Sequence, residues 1–543
     1  MKYKRVMVIG LDGATFDLIK PWAAQGYLPN LQKLMNEGAS GNLQSVHPPE
    51  SPLAWTSFAT GKNPGQHKIF GFYEPKRDAA YSLSPITAGS NQAKTVYRML
   101  AEAGKRVVMV SVPFTFPPEP LPDGIVVPGE FSIPGEDGYA RLVCHPPEIG
   151  DEIRQNFDDY RLMVDTSLIY HEKAQFAADL HHTTDNVMAI ANHFLDTREW
   201  DFFMMVFSGT DQVGHYFFRD LVENGSYADV MLNYYSYVDK AVGRLLARAD
   251  DETLFLVMSD HGMTHFRDYF CLNLWLAENG YLVFKRPFLR KLKRMGINFM
   301  NKSGLMSALL NMVDLRKLSK GSVSSALQFT DVDFSKTKAF AYGFGSIRLN
   351  VKGREANGVI DPSAYEQVRD EIIGRLQAAT DRQAGLPIAE RVYRREEIYF
   401  GPFVENAPDI VVESDRFWPN GLAGVGPFSN LYASMLEKSP IINGMHTLNG
   451  IFLAKGAHIR PNYALEGARI IDLAPTILHA LGLPIPEDMD GRLLTDMFEP
   501  DFLAARQPVY TEGTGVVHSE QYVWAAGEEE ALLERLQDLG YMA

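Results

Sequence analysis

Short apolar runs separated by helical patterns constrain the fold of this chain more than any other feature of its sequence. The runs occupy residues 6–9, 107–112, 202–207, 254–258 and 451–454. Continuous apolar runs of this length predict parallel strands that are buried on both faces. Helical patterns, such as residues 28–37 and 96–103, lie between some of them. This alternation predicts an α/β fold, with a mostly parallel central sheet and helices on both faces.

Reactive side chains follow three of these runs at the point where each predicted strand ends. They are Asp12, the pair Asp211 and His215, and the adjacent Asp260 and His261. In open α/β sheets, ligands bind at the carboxyl ends of the strands, so we expect these side chains to meet at one edge. Asp211 and His215 stand four residues apart, which places both on one face if the segment is helical. Gly262 supplies the backbone freedom for a turn after His261.

Two further residues complete the candidate set. Ser51 lies in a Pro-Glu-Ser-Pro stretch, and His446 lies in a Gly-Met-His-Thr stretch. Carboxylates and imidazoles together with one oxygen nucleophile suit Zn²⁺ or Mn²⁺. Each residue taken alone has a simpler explanation. Asp12 could cap a helix, Ser51 could be a turn residue, and His446 could be a satisfied core or surface histidine.

Charge and cysteine content restrict the partners and the compartment. The chain has 543 residues, with 52 Lys and Arg against 67 Asp and Glu, a net charge of −15. Such acidity argues against nucleic acid as a partner. Cys144 and Cys271 form no disulfide framework, and no apolar run reaches the roughly 18 residues of a membrane span. We therefore expect a cytoplasmic protein.

Residues 285–320 are strongly basic, with Asp314 as their single acidic residue. Phe288, Leu292, Met295 and Phe299 recur at helical spacing within this segment. It is either a basic amphipathic lid that contacts an anionic substrate or membrane surface, or a solvated helix of an inserted cap, and we favour the cap. The predicted organisation is a catalytic core at 1–284, a cap or lid at 285–335, a small α+β subdomain at 336–415, and the rest of the core with a C-terminal tail at 416–543.

The sequence resembles the alkaline phosphatase superfamily, and within it the type I phosphodiesterase/nucleotide pyrophosphatase branch and its phosphohydrolase or phosphomutase relatives. The matching segments are VMVIGLDG at 6–13, PPESPLAWTSFATGKNPGQH at 48–67, SGTDQVGHYF at 208–217, VMSDHGM at 257–263, GMHTLNGIFLAKG at 444–456 and DLAPTILHALGLPIPEDMDGR at 472–492. These segments occur in family order and span nearly the whole chain.

The resemblance implies an alkaline phosphatase-like fold and a metal-dependent hydrolase of phosphoric esters. It implies two divalent metal ions, Zn²⁺ or Mn²⁺. The implied ligands of one ion are Asp211, His215 and His446; those of the other are Asp12, Asp260, His261 and the Ser51 oxygen. Ser51 would be the nucleophile and form a phosphoseryl or nucleotidyl-seryl intermediate, with a phosphorylated small molecule as substrate.

Departures from the family pattern leave alternatives open. The family Asn that contacts the phosphate aligns with Phe72; Lys62, Asn63 and Arg348 are candidate replacements, although solvation at the surface explains each more simply. The residues after Ser51 do not match a sulfatase, so sulfate ester cleavage is disfavoured. The alternatives are a phosphomonoesterase or phosphomutase on the same site, or a non-catalytic regulator that binds a phosphorylated ligand or lipid.

Overall fold

The computed structural model of this protein describes residues 3–76, 78, 81–130, 142–170, 172–286, 329, 331–381, 385–420, 436–437, 442–517, 522–525 and 527–539. In chain order the strands are β1 (Arg5–Leu11), β2 (Ala39–Gln44), β3 (Tyr73–Pro75), β4 (Leu83–Pro85), β5 (Val107–Val112), β6 (Gly124–Pro128), β7 (Phe202–Phe207), β8 (Thr253–Met258), β9 (Gly262–His265), β10 (Asp268–Cys271), β11 (Ala339–Tyr342), β12 (Ser346–Leu349), β13 (Arg391–Arg394), β14 (Ile410–Glu413), β15 (Phe417–Asn420), β16 (Leu436–Glu437), β17 (Gly444–Thr447), β18 (Asn449–Lys455), β19 (Tyr463–Ala464), β20 (Ala468–Arg469), β21 (Ile485–Pro486) and β22 (Tyr510–Thr511). The helices are α1 (Phe16–Ala24), α2 (Pro29–Glu37), α3 (Ser51–Thr60), α4 (Pro64–His67), α5 (Val96–Glu102), α6 (Glu148–Asn156), α7 (Lys173–Thr197), α8 (Gly209–Glu223), α9 (Val230–Leu246), α10 (Leu272–Glu278), α11 (Tyr365–Gln377), α12 (Arg395–Ile398), α13 (Leu473–Leu481), α14 (Pro500–Ala505) and α15 (Glu528–Asp538).

The largest sheet contains the strands predicted from the apolar runs. Its order is β19-β2-β18-β8-β1-β7-β5-β6, and β20 also pairs with β2. The strands β8, β1, β7, β5 and β6 pair in parallel with one another, which confirms the mostly parallel sheet. The strand β18 is antiparallel to both of its neighbours, so the prediction of a parallel strand at 451–454 was wrong. An apolar run indicates burial on both faces but carries no signal for strand direction.

Alternate residues of the central strands contribute to two separate hydrophobic cores. On β1, the side chains of Met7 and Ile9 belong to one core, and those of Val6 and Val8 belong to the other. The first core also contains apolar side chains of α1, α2, α7, α8 and α9, and the second contains those of α3, α5 and α13. Because successive strand residues point to opposite faces, both faces are covered, and helices on both faces are confirmed.

A smaller antiparallel sheet lies in the region predicted as an α+β subdomain. Its order is β11-β12-β14-β13, and α11 packs on β13. The strand β12 and the helix α11 are thus among the β and α elements of this region. The domain boundaries themselves stay predictions.

The two ends of the predicted cap come together next to the core. The Lys285 amide donates a hydrogen bond to the Asp331 carbonyl at 2.8 Å. The predicted amphipathic helix lies outside the described residues. No helix in the described part of the chain is long and apolar enough to cross a membrane.

A buried carboxylate of α9 anchors the N-terminus of α2, and its substitution tests how much this contact stabilises the fold. Asp239 accepts hydrogen bonds from the Asn30 and Leu31 amides at 3.2 and 2.8 Å and from Asn30 Nδ2 at 2.9 Å. These donors would otherwise be unsatisfied at the start of the helix. Asp239→Ala should therefore lower the free energy of unfolding by about 2–4 kcal/mol in urea denaturation. The exposed Asp251→Ala is the control and should change it by less than about 0.5 kcal/mol.

Candidate active site

The carboxyl ends of three adjacent parallel strands position the aspartates of the site. Asp12 follows β1, Asp260 follows β8, and Asp211 lies in the first turn of α8 directly after β7. All three side chains are buried. His215 lies one turn further along α8, and its Nε2 is 3.3 Å from Asp211 Oδ2. The helical turn predicted for this pair is thus present.

Ser51 and His446 reach the same place from distant parts of the chain. Ser51 is the first residue of α3, and its Oγ lies 3.1 Å from His261 Nε2. His446 lies on β17, which pairs with β9 immediately after His261. Its Nε2 is 3.0 Å from His215 Nε2 and 3.3 Å from Asp211 Oδ1. All seven predicted site residues therefore lie in one cluster.

The potential ligand atoms form two overlapping groups. Asp12, Asp260 and His261 form one group, and Asp211, His261 and His446 form the other; the atoms of each lie within 4.8 Å of one another. His261 belongs to both groups, with its Nε2 3.2 Å from Asp260 Oδ2 and 3.7 Å from Asp12 Oδ1.

Backbone carbonyls determine which nitrogen of each histidine faces the cluster. The Nδ1 atoms of His215, His261 and His446 lie 2.8, 3.0 and 2.9 Å from the carbonyl oxygens of Gly444, Gly262 and Pro49. A carbonyl oxygen can only accept, so each Nδ1 carries the proton and donates. This arrangement leaves the Nε2 lone pairs directed into the cluster, as in histidines whose second ring nitrogen is held for metal binding.

Burial and mutual repulsion dominate the electrostatics of the carboxylates. Burial raises the pKa of Asp12 well above its usual value, and the charges of Asp260 and Asp211 raise it further. Burial also raises the pKa of Asp260 to about 7. Burial would raise the pKa of Asp211 as well, but His215 and His446 outweigh it and hold that pKa well below its usual value.

The histidines respond in opposite directions to the same environment. Burial, with the charge of His446, lowers the pKa of His261 well below its usual value. Burial also lowers the pKa of His446, whereas His215 has a raised pKa because Asp211 outweighs the effect of burial.

The donor set fits divalent metal ions. Asp12 Oδ1 and Asp260 Oδ2 are buried and have no hydrogen-bond partner among the described residues. Such orphaned carboxylate oxygens, placed beside imidazole Nε2 atoms, are the ligands that Zn²⁺ or Mn²⁺ takes in proteins. The described residues therefore contain candidate ligand groups for divalent metal.

Two glycines allow the backbone to pass close to the cluster. Gly13 has a φ of +65°, and a Cβ at this position would lie 2.9 Å from Asp211 Oδ1. A Cβ on Gly262 would lie 2.2 Å from the Asn449 carbonyl oxygen, with no positive φ. The prediction that Gly262 supplies conformational freedom was therefore wrong. Glycine is needed at this position because the Cβ of any other residue would clash with the Asn449 carbonyl oxygen.

The solvation interpretation places the candidate replacements for the phosphate-binding Asn on the protein surface, but the structure places them in the interior. Lys62 is 2% exposed and forms an ion pair with Asp488 at 2.6 Å. The other two are also buried. Asn63 Nδ2 donates to an Asp490 oxygen at 2.8 Å, and Arg348 donates to Glu355 at 2.6 Å. Phe72 is buried among aromatic side chains and offers no polar group.

Two tryptophans support the cluster and were missed by the sequence reasoning. The Trp55 indole N–H donates to Asp12 Oδ2 at 3.1 Å. Its position one helical turn after Ser51 on α3 was an available signal. Trp418 stacks on His215 with ring centroids 5.4 Å apart and planes within 6°. Nothing in the sequence around Trp418 links it to residue 215.

A buried polar cluster involving the C-terminal helix lies next to Asp211 and was also missed. Gln212 Nε2 donates to Glu130 Oε1 at 2.5 Å, and Arg535 of α15 donates to the same oxygen at 3.2 Å. Arg535 also donates to the Val164 carbonyl at 2.6 Å. The guanidinium thus compensates a carboxylate that burial would otherwise leave unpaired.

Comparison with known proteins identifies the family of this chain. The type I phosphodiesterase / nucleotide pyrophosphatase family matches residues 6–419. The chain therefore belongs to the type I phosphodiesterase / nucleotide pyrophosphatase family, a family of hydrolases that act on phosphoric ester bonds.

Solved structures share the fold at low sequence identity. Human ectonucleotide pyrophosphatase / phosphodiesterase 5 matches with a TM-score of 0.50 and 13% identity, over 91% of this chain and 99% of that chain. Phosphonoacetate hydrolase from Sinorhizobium meliloti 1021, in complex with phosphonoacetate, matches with a TM-score of 0.51 and 15% identity, over 87% and 94%. These neighbours confirm the alkaline phosphatase-like fold.

Curated relatives match over short segments. The catalytic subunit of GPI ethanolamine phosphate transferase 3 from Mus musculus is 34% identical over 86 residues, 15% of this chain. The 2,3-bisphosphoglycerate-independent phosphoglycerate mutase of Laribacter hongkongensis (strain HLHK9) is 44% identical over 52 residues, 10% of this chain. The matches span 7% and 10% of the length of these relatives.

Metal binding to this cluster should depend on pH because the carboxylates hold protons when no metal is bound. The pKa values of Asp12 and Asp260 are raised, the latter to about 7. A cation must displace these protons, so its apparent affinity should fall as the pH falls below about 7. Titration calorimetry with Mn²⁺ from about pH 8 to about pH 6, in buffers of different ionisation enthalpy, should show weaker binding and proton release. Equal affinity across this range would contradict the expectation.

The buried pair of Glu130 and Arg535 predicts a charge-dependent loss of stability. Arg535→Met leaves the Glu130 carboxylate uncompensated and should lower the free energy of unfolding by about 3–5 kcal/mol in urea denaturation. The double variant Glu130→Gln with Arg535→Met removes both charges and should recover most of that loss. A double variant as unstable as Arg535→Met would show that lost packing, rather than charge, is the cause.

Proposed function

We propose that this protein is a metal-dependent phosphodiesterase or nucleotide pyrophosphatase that uses Ser51 as its nucleophile and two divalent ions, Zn²⁺ or Mn²⁺. The observation that carries this proposal is the convergence of three imidazole Nε2 atoms and three buried carboxylates in one cluster, with the Ser51 hydroxyl 3.1 Å from the Nε2 atom of His261. Two Nε2 lone pairs 3.0 Å apart repel each other unless a proton or a cation lies between them.

The proposed ligand sets are the two that the family resemblance implies. Asp211, His215 and His446 would hold one ion. The Ser51 oxygen would hold the other together with the carboxylates of Asp12 and Asp260 and with His261. When bound, the ions supply Lewis-acid stabilisation of negative charge on the phosphate and lower the pKa of the Ser51 hydroxyl.

The chain's own residues orient and protect the nucleophile. In the structure the Ser51 hydroxyl is buried and donates towards His261 Nε2, because His261 Nδ1 is the protonated nitrogen. Ser51 also begins α3, where the positive end of the helix dipole favours negative charge on its oxygen. Trp55 holds Asp12 in place through its indole N–H.

The proposed reaction proceeds in two displacements at phosphorus. Ser51 Oγ loses its proton and forms a bond to phosphorus as the bond to the departing alcohol oxygen breaks, and that oxygen leaves as the alcohol after taking up a proton. Water then attacks the phosphoseryl group, its oxygen goes to the phosphorus, and Ser51 regains a proton. A phosphodiester gives one alcohol and one phosphoric monoester, and a pyrophosphate linkage gives two phosphates because a phosphate oxygen is then the leaving group.

A second candidate function uses the same site. Phe72 replaces the family Asn, and Lys62, Asn63 and Arg348 pair with other residues, so none of these three candidates is available for the family's phosphate contact. This difference favours testing a phosphomonoesterase or phosphomutase beside the diesterase. The curated match to a phosphoglycerate mutase supports including the mutase.

The cellular setting is part of the proposal as well. We propose a phosphorylated small molecule as substrate, no nucleic acid partner, and a cytoplasmic location. Cys144 and Cys271 are both buried and neither is in a disulfide, which supports a reducing compartment. Weak contact of residues 285–320 with an anionic membrane stays a prediction, because most of this segment lies outside the described residues.

Metal analysis and substitution of Ser51 test the proposal together. We expect about two equivalents of Zn²⁺ or Mn²⁺ per chain and turnover of aryl phosphodiesters. Ser51→Ala should lower kcat by about three orders of magnitude or more because the nucleophile is lost. His446→Ala should lower metal content, since one ligand of the proposed site is removed.

The matched control is Ser57→Ala, because Ser57 lies on the same helix and its hydroxyl faces His67 instead of the cluster. Turnover that survives Ser51→Ala would exclude the covalent mechanism. A strong preference for monoesters would favour the second candidate. Absence of catalysis with every metal, together with binding of a phosphorylated ligand, would favour a non-catalytic regulator.

A further inference from the structure

The nucleophile loop, residues 45–50, connects β2 to α3 and ends directly before Ser51. The path of this loop therefore determines where the Ser51 hydroxyl lies relative to the cluster. Pro48 and Pro49 have no backbone N–H, so these two residues cannot donate hydrogen bonds that would hold the loop in place. Contacts from other segments must supply that restraint.

The two ends of the nucleophile loop are held by the segment that contains His446. The Ser45 amide donates to the Leu448 carbonyl at 2.8 Å, and His446 Nδ1 donates to the Pro49 carbonyl at 2.9 Å. Neither contact reaches His47, which lies between these two anchors.

The small antiparallel sheet contacts the side chain of His47. His47 Nδ1 donates to Glu413 Oε1 at 2.8 Å, because a carboxylate oxygen only accepts. Glu413 is the last residue of β14, and its second oxygen accepts from Arg391 Nε of β13 at 3.0 Å. Arg391 thus orients the carboxylate that His47 meets. The Tyr393 ring, also on β13, packs against the His47 ring with centroids 5.2 Å apart.

A second contact holds the backbone of the same residue. The hydroxyl group of Tyr399, which follows α12, donates to the His47 carbonyl at 2.6 Å. Tyr399 is buried, so water does not compete for this hydrogen bond. Residues 339–413 contain none of the seven cluster residues, yet they hold both the side chain and the backbone of His47. These contacts connect the small sheet to the loop that carries the nucleophile.

We propose that the region of the small antiparallel sheet positions the nucleophile, with Glu413 and Tyr399 acting through His47. The inference rests on the proposed function, because it concerns the placement of Ser51 for attack. His47, Glu413 and Tyr399 are positioning residues, since each acts through the loop and not on the substrate. The attacking oxygen must be aligned with phosphorus, and a misplacement of about 1 Å can lower a rate by about 10²-fold.

Two substitutions of similar shape isolate the hydrogen bond of His47. His47→Asn keeps a donor, because Asn Nδ2 is as many bonds from the backbone as His Nδ1, whereas His47→Leu has none. Both variants lose the ring contact with Tyr393. Release of 4-nitrophenolate from bis(4-nitrophenyl) phosphate in a single turnover reports the attack of Ser51. This rate should fall by about tenfold or more in His47→Leu and stay within about threefold of wild type in His47→Asn.

Metal content and KM separate positioning from damage to the site. Both variants should keep the wild-type metal content, and KM should change by less than about threefold, because no proposed metal ligand is altered. A wild-type rate in His47→Leu overturns the proposal. Equally slow His47→Asn and His47→Leu proteins overturn the role of the hydrogen bond. Loss of metal in parallel with the rate also overturns the proposal, because the loop would then act through His446.

The failure of the proposed function has a different signature. A wild-type protein that hydrolyses no phosphoric ester, or a Ser51→Ala protein that retains turnover, overturns the proposed function and not the contacts of His47.

His193→Leu is the matched control. His193 Nε2 lies 2.6 Å from Glu152 Oε1, and the His193 side chain is 19% exposed, against 22% for His47. This pair joins α7 to α6 and does not involve the nucleophile loop. His193→Leu should therefore keep the single-turnover rate within about twofold of wild type. A loss as large as that in His47→Leu would show a general effect of breaking such a pair and would overturn the proposal.

Tyr399→Phe keeps the test decisive if His47→Leu does not fold. This substitution removes only the hydroxyl group that holds the His47 carbonyl, so the single-turnover rate should fall by about threefold or more at unchanged metal content. An unchanged rate in Tyr399→Phe overturns the role of Tyr399.

Discussion

The burial of three aspartates close together, with the repulsion between them, is the constraint on which this structure depends. Asp12, Asp211 and Asp260 lie at the ends of adjacent strands in one water-poor volume, and two of them have raised pKa values as a result. A protein that buries such a cluster must supply positive charge, protons or a cation. In the proposed function, the same property that destabilises the metal-free site creates affinity for divalent metal and, through the metal, for phosphate.

The surrounding fold orients the side chains of the cluster in spite of this repulsion. Carbonyls of residues 49, 262 and 444 orient the three imidazoles, and Trp55 and Trp418 pack against Asp12 and His215. Each of these contacts belongs to a different element of the chain. The cluster is thus built by segments from many parts of the chain, and even the C-terminal helix lies close to it through the buried Glu130–Arg535 pair.

The wrong predictions have one physical cause, because the burial and pairing of a residue depend on segments that are distant in the sequence. Lys62 and Arg348 were interpreted as solvated cations, but Asp488 and Glu355 pair with them inside the protein. The direction of β18 and the need for space at Gly262 likewise depend on neighbours distant in sequence. Local patterns contain no information about such neighbours.

The sequence by itself determined the parallel sheet and the helices on its faces, because strand and helix periodicity are local properties. It also determined the edge at which Asp12, Asp211 and Asp260 meet, because the carboxyl ends of parallel strands share one edge. Only the tertiary structure decided how residues 51 and 446 join them. The position of residue 51 depends on α3 packing against the sheet, and that of residue 446 depends on the pairing of β17 with β9.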